Sequence, residues 1–202
     1  MKIFCFFVIV SNWLLYAIWK FFALKLHNNS KNTKRGRLKM IEVNDGLNKE
    51  IIYLKGDATA PSSKGVKIIA HICNDIGGWG KGFVLAISKR WKDPEDQYRK
   101  WYKSKINFWL GEICLVQVEP YIYVANMIAQ KGIKTGSKGV PIQYDAVEKC
   151  LNLLSEKAME LNARVHMPRI GCGLGGGKWD KIEPLIFNSL IQKGIDVFVY
   201  DQ

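Results

Sequence analysis

The stretch Val165-His166-Met167-Pro168-Arg169-Ile170-Gly171-Cys172-Gly173-Leu174-Gly175-Gly176-Gly177, followed at once by Lys178 and Trp179, decides how the chain is read. A short apolar run meets five glycines in seven residues, the pattern of a strand that ends in a loop only glycine can build. Such a loop is either a plain connection or a cradle whose backbone comes close enough to a phosphate to offer it N–H groups. A lone glycine-rich run does not choose between the two. A second one lies far upstream. Asn74-Asp75-Ile76-Gly77-Gly78-Trp79-Gly80-Lys81-Gly82 follows the apolar run of residues 67–72 and precedes Phe83, Ala86, Ile87 and Trp91 at helical spacing. The pattern predicts a loop that opens onto a helix N-terminus.

Working outward, residues 40–43 and 50–55 read as an opening pair of strands joined by the turn signal Asn44-Asp45-Gly46, with Gly56-Asp57-Ala58-Thr59 ending the second. Pro94 suits the first turn of a helix capped by Asp93, with Tyr98, Trp101 and Tyr102 on its inner face. Residues 112–118 and 121–128 read as strands, and residues 131–139 (KGIKTGSKG) as a mobile surface loop. Val147, Leu151, Leu154, Ala158 and Leu161 predict a long helix over residues 142–161. Strand, glycine loop and helix recur over residues 164–192, and residues 196–200 close the chain as a last strand. Alternating strands and helices imply an α/β architecture of three layers, α/β/α, with helices on both faces of a partly parallel sheet. In such folds ligands collect beyond the carboxyl ends of strands, where both glycine loops fall.

With 202 residues, 48% of them hydrophobic, the chain has material for one sizeable core. The net charge of +12 is unevenly spread: residues 1–39 hold eight Lys and Arg and no acid, which leaves 22 basic against 18 acidic residues from Met40 onward, a net of +4. Nucleic acid is therefore a poor candidate partner for the domain itself. Five cysteines, Cys5, Cys73, Cys114, Cys150 and Cys172, are scattered without a Cys-x-x-Cys pair, so neither a disulfide framework nor a metal site is indicated. Cys73 and Cys172 read as small apolar residues beneath the loops in preference to catalytic thiols. Residues 1–26 form a hydrophobic segment and residues 27–39 a polar, basic linker. The apolar run of residues 3–26 fits a single-pass anchor with the domain in the cytoplasm. A cleaved signal peptide fits it less well. The other open reading is that translation starts at Met40, which would leave a plain cytoplasmic domain.

Three strand-terminal segments now stand together: Leu54-Lys55-Gly56-Asp57-Ala58-Thr59, the Asn74 loop with Gly77-Gly78-Trp79-Gly80-Lys81-Gly82, and Met167-Pro168-Arg169-Ile170-Gly171-Cys172-Gly173-Leu174. In these motifs and their order, residues 40–202 resemble the macro domain family, the ADP-ribose-binding module. The likeness is greatest to the branch that includes ADP-ribose-1''-phosphate phosphatases and terminal ADP-ribose-protein glycohydrolases. The resemblance implies a mixed central sheet between helical layers, no cofactor, and a ligand that is ADP-ribose, an ADP-ribose derivative or an ADP-ribosylated protein. It implies that Asp57 accepts from the adenine amino group and that the Ala58 amide touches the same ring. It further implies that Pro168, Ile170, Gly171, Cys172, Gly173, Leu174, Gly175 and Gly176 hold the diphosphate opposite Gly80, Lys81, Gly82 and Phe83. Asn74 then faces the distal ribose, with Trp79 and Trp179 as candidates for the rim of the cleft.

Two departures bear on mechanism. Related hydrolases place an aspartate where this chain has Lys81 or Gly175, and a lysine nucleophile where it has Gln117 and Val118. The expected activity is hydrolysis of an ADP-ribose derivative, foremost the 1''-phosphate, with Asp75 as base, Asn74 orienting the ligand and Lys81 offsetting phosphate charge. The alternative is a non-enzymatic reader of free or protein-linked ADP-ribose.

Overall fold

The computed structural model describes residues 50–133 and 139–201. The chain divides between Asp45 and Gly46, and everything below belongs to the second unit. The hydrophobic segment, the basic linker and the expected strand at residues 40–43 lie outside the described residues. Among the described residues no helix is long and apolar enough to cross a membrane.

Six strands form one sheet in the order β1-β6-β5-β2-β4-β3: β1 (Ile52–Lys55), β2 (Lys67–Asn74), β3 (Ile113–Glu119), β4 (Ile122–Gln130), β5 (Arg164–Pro168) and β6 (Val197–Asp201). Every neighbouring pair is parallel except the β3–β4 hairpin. The mixed sheet expected from the alternation is thus present, with β2 and β5 central and the antiparallel pair at one edge.

Why both faces must be covered is visible in β2. Ile68 and Ala70 point into one apolar cluster, and Ile69 and Cys73 into the other, because successive strand side chains alternate in direction. The first face is closed by α3 (Tyr144–Glu160) and α4 (Trp179–Ser189), followed by a short 3-10 turn (Ile191–Lys193). The second face is closed by α1 (Phe83–Arg90) and α2 (Asp93–Ser104). Three layers result. In α3 the expected stripe of Val147, Leu151, Leu154 and Ala158 is buried.

Two local expectations are corrected. Asp93 does not cap α2 from outside: it is the first helical residue, Lys92 occupies the cap without a side-chain bond, and Pro94 fills the second position, where it gives up no intrahelical bond. β2 and β4 run two residues further than the apolar pattern indicated, to Asn74 and Gln130, and a bulge between Cys73 and Asn74 carries the pairing onward. That extension moves Asn74 from the loop to the last position of a central strand.

Leu154 is fully buried between α3 and the sheet. Leu154→Ala should lower the unfolding free energy by about 2–5 kcal/mol, as for other truncations that leave a cavity in a packed core. Urea denaturation measures this, and an unchanged midpoint would contradict the seating of α3.

Candidate functional site

The carboxyl ends of β1, β2, β5 and β6 open on one side of the sheet, and a cleft lies there in two adjoining depressions. One, of about 430 Å³, is lined by Asp57, Ala58, Thr59, Lys89 and Arg90 among others. The other, of about 660 Å³, is lined by Lys81, Gly82, Val84 and residues 168–175, with His71, Gln130 and Asp201. Phe83, Ala86, Pro168 and Tyr200 belong to both. The cleft therefore follows α1 from its N-terminus at the larger depression to Arg90 at the smaller.

The larger depression is built from main chain. Gly82 precedes α1 with φ 80°, a left-handed value that favours glycine, and no side chain caps the helix. No acidic residue occupies the first turn of α1, so the partial positive charge of its N-terminus is uncompensated. Across the cleft, Gly171 has φ 72°. A Cβ there would stand 2.8 Å from Ile142 Cδ1, so the position is reserved for glycine on two grounds. The loop is closed by Gly177 N–H donating to Gly171 O at 2.9 Å and Gly176 N–H donating to Gly173 O at 3.0 Å. Among the described residues the N–H groups of Gly173, Leu174 and Gly175 have no protein acceptor, nor do those of Lys81, Gly82 and Phe83. Leu174 Cδ1 lies 3.5 Å from the position a Gly82 Cβ would take, so the two loops face each other at close range. Opposed, unspent amides at a helix N-terminus are an anion site in form and in field.

Gly175 explains why no acid stands there. A Cβ at this residue would meet Gly171 O at 2.9 Å, so an aspartate would require the loop to be rebuilt.

The smaller depression carries one acid. Asp57 Oδ1 accepts from the Thr59 amide at 2.8 Å, and the Thr59 hydroxyl lies 2.8 Å from each carboxylate oxygen. Thr59 is buried while Asp57 is exposed, so the turn presents the carboxylate outward. Although burial pushes its pKa up, the Thr59 amide and hydroxyl and the Arg90 charge hold the carboxyl below its usual range. Asp57 therefore stays an acceptor near neutral pH.

Lys81 lines the cleft; Asn74 and Asp75 line neither depression. Asn74 is buried, and its side chain braces its own loop and meets α2, with one of the two Nδ2 hydrogens given no acceptor among the described residues. Oδ1 accepts from Ile76 N at 3.1 Å, Gly78 N at 2.8 Å and Tyr98 Oη at 3.1 Å, while Nδ2 donates to Gly78 O at 2.6 Å. Asp75 Oδ1 accepts from Gly132 N at 2.7 Å and ties this loop to the one after β4. Gly80 and Gly176 also lie outside both depressions.

Other residues find different places. Trp79 is buried beneath α1 and α2, where its indole donates to Ser88 Oγ at 2.8 Å, so it is not a rim residue. Trp179 donates to Tyr53 Oη at 3.1 Å and lies under Arg169, whose guanidinium is 5.0 Å from the indole centroid and pairs with Asp201. Burial raises the pKa of the Cys73 and Cys172 thiols, which fits packed residues. Among the described residues no cluster of His, Cys, Asp or Glu could hold a metal ion.

The sequence reading did not name His71, Gln130, Arg90 or Tyr200 as parts of the cleft. Alternation along β6 separates Phe198 and Tyr200 from Val197 and Val199, but nothing in the pattern says which face borders a ligand. His71 sits 2.6 Å from Asn126 Oδ1, with its ring centroid 5.4 Å from that of Trp79. Burial lowers its pKa to about 4, against the Asn126 bond, so it is a neutral floor to the cleft.

No protein-family model matches the chain. A solved macrodomain protein from Streptomyces coelicolor is 54% identical, covers 76% of this chain and 99% of its own, and superposes with a TM-score of 0.69. The chain belongs to the macrodomain family. A second solved structure, of a protein of unknown function from Bacteroides thetaiotaomicron, is 60% identical to this macrodomain protein, covering 77% of this chain and 99% of its own, with a TM-score of 0.75. The ADP-ribose 1''-phosphate phosphatase of Lodderomyces elongisporus is 25% identical over 74% of this chain and 98% of that enzyme. The chromodomain-helicase-DNA-binding protein 1-like protein of Danio rerio is 31% identical over 74% of this chain, which spans only 15% of that relative.

Because Asn74 braces the loop through Ile76 and Gly78, Asn74→Ala should cost about 1–3 kcal/mol of stability by leaving buried partners unpaired. A thermal melt indistinguishable from wild type would show that the amide is free for another task.

Proposed function

We propose that this macrodomain binds ADP-ribose with the adenine beside Asp57 and Ala58, the diphosphate between the two glycine loops, and the distal ribose at the Lys81 end. The carrying observation is the pair of opposed loops whose amides have no acceptor of their own, at the N-terminus of an uncapped helix. The named phosphatase relative, matched over nearly its whole length, supports an ADP-ribose derivative as the ligand. At the other end, Asp57, held by Thr59 and lowered in pKa by it and by Arg90, suits the amino group of adenine, a donor.

We further propose hydrolysis of such a derivative, with ADP-ribose-1''-phosphate as the first substrate to try. In this geometry the chain contributes positioning and charge: the helix N-terminus and Lys81 oppose the phosphate charge. The engaged state of Asn74 and Asp75 and the lack of room at Gly175 favour a second reading, a reader that binds ADP-ribose without turnover.

Calorimetry of the full-length chain with ADP-ribose should give a saturable one-site isotherm that Asp57→Ala weakens by about 1–3 kcal/mol. An undiminished affinity in that variant would place the adenine elsewhere. For the chemistry, inorganic phosphate released from ADP-ribose-1''-phosphate should rise above the level reached by Gly82→Val, in which a side chain strained at positive φ enters the cleft beside Leu174. Equal release by both, at the uncatalysed rate, would falsify the enzymatic reading and leave the reader.

A further inference from the structure

Behind the wall shared by the two depressions lies a short polar chain that the site as described does not use. His166, in the middle of β5, is fully buried and stacked on Phe198, with ring centroids 4.6 Å apart and planes 6° from parallel. Its Nε2 lies 2.8 Å from Ser63 Oγ, and its Nδ1 lies 3.0 Å from Tyr200 Oη. Tyr200, in turn, lines both depressions and so stands where they join. Burial, with the charges of Lys67 and Arg164, lowers the pKa of His166 to about 4. At neutral pH the ring therefore carries a single N–H to share between two hydroxyl neighbours.

Two arrangements satisfy the chain. In one, Nε2–H donates to Ser63 and the Tyr200 hydroxyl donates to Nδ1, so that Tyr200 offers only lone pairs to the cleft. In the other, Ser63 donates to Nε2, Nδ1–H donates to Tyr200 Oη, and the Tyr200 proton is released toward the cleft. An ionised phosphate oxygen can only accept, so it selects the second arrangement.

We propose that Tyr200 is a ligand-binding residue that donates its hydroxyl proton to a phosphate oxygen of the bound nucleotide at the junction of the depressions, and that Ser63 and His166 are positioning residues that free that proton. The inference rests on the reading that the cleft takes ADP-ribose. It differs from the loop clamp in kind: the donor is a side chain whose direction is set by an imidazole tautomer, not a fixed amide.

The test combines ADP-ribose titrations of the full-length chain and its Tyr200→Phe variant with nitrogen-15 spectra of the His166 ring, free and saturated with ADP-ribose. The expected result is a loss of about tenfold in affinity on Tyr200→Phe, and a His166 that is protonated at Nδ1 in the complex. A merely structural bond between His166 and Tyr200 would move the melting temperature but would not tie the tautomer to the ligand. Should the variant fail to fold, the wild-type spectra decide alone. Wild-type binding with an Nε2–H tautomer in the complex, or with an unimpaired Tyr200→Phe, overturns this inference and spares the ADP-ribose reading. No binding by the wild type overturns both.

Discussion

The cleft depends on one buried amide. Asn74 ends the central strand β2, and from there its side chain holds both the outgoing and the returning parts of the loop through Ile76 and Gly78. The Tyr98 hydroxyl, from fully buried Tyr98 on α2, donates to the Asn74 carbonyl at 2.5 Å. Loop, strand and helical layer are thereby fixed to one another. The loop that follows can then deliver Gly82 and the start of α1 to the cleft without a cap of its own. Gly77 belongs to the same lock, since a Cβ there would stand 2.4 Å from the Tyr102 ring. A residue that sequence reading would assign to the ligand is thus the fastening of the frame that meets the ligand.

That exchange of roles shows where sequence reading reaches its limit. The two glycine loops were legible because positive φ and close backbone approach leave glycine as the residue of choice, so the requirement is written in residue type. The layers were legible because residues buried on both faces make unbroken apolar strands, and the stripe on α3 needed only counting. Asn74 and Asp57 are different: an amide or carboxylate after a strand can brace a turn or contact a ligand, and the same residue type serves both. The structure shows Asn74 bracing the loop and bonded to Tyr98, and Asp57 bracing its turn through Thr59 with a carboxylate that still faces outward. Tyr200 was invisible for a third reason. Its position follows from which strands lie side by side, and β5 and β6 are neighbours only through the crossover made by α4.

Polar groups buried beneath the cleft are paired without net charge. His71 meets Asn126, whose Nδ2 donates to Pro94 O at 2.9 Å, and His166 meets Ser63 and Tyr200. No buried side-chain polar atom among the described residues lacks a partner. An ion pair stands at the rim, where Arg169 meets Asp201 while its guanidinium lies 5.2 Å from the Tyr53 ring centroid and close to Trp179. Placing ions outside and neutral pairs inside avoids the desolvation that a buried charge would incur. It also ties the ends of β1, β5 and β6 together at the foot of the glycine loop.

The anion clamp described above is made of peptide groups, and this has a consequence beyond shape. Peptide N–H groups do not titrate, and both histidines under the cleft are already neutral above about pH 5. An anion held by these amides would therefore be bound by groups that gain or lose no proton across the physiological range. Acidification of the surroundings, which would switch a site built from histidines, leaves this one as it was.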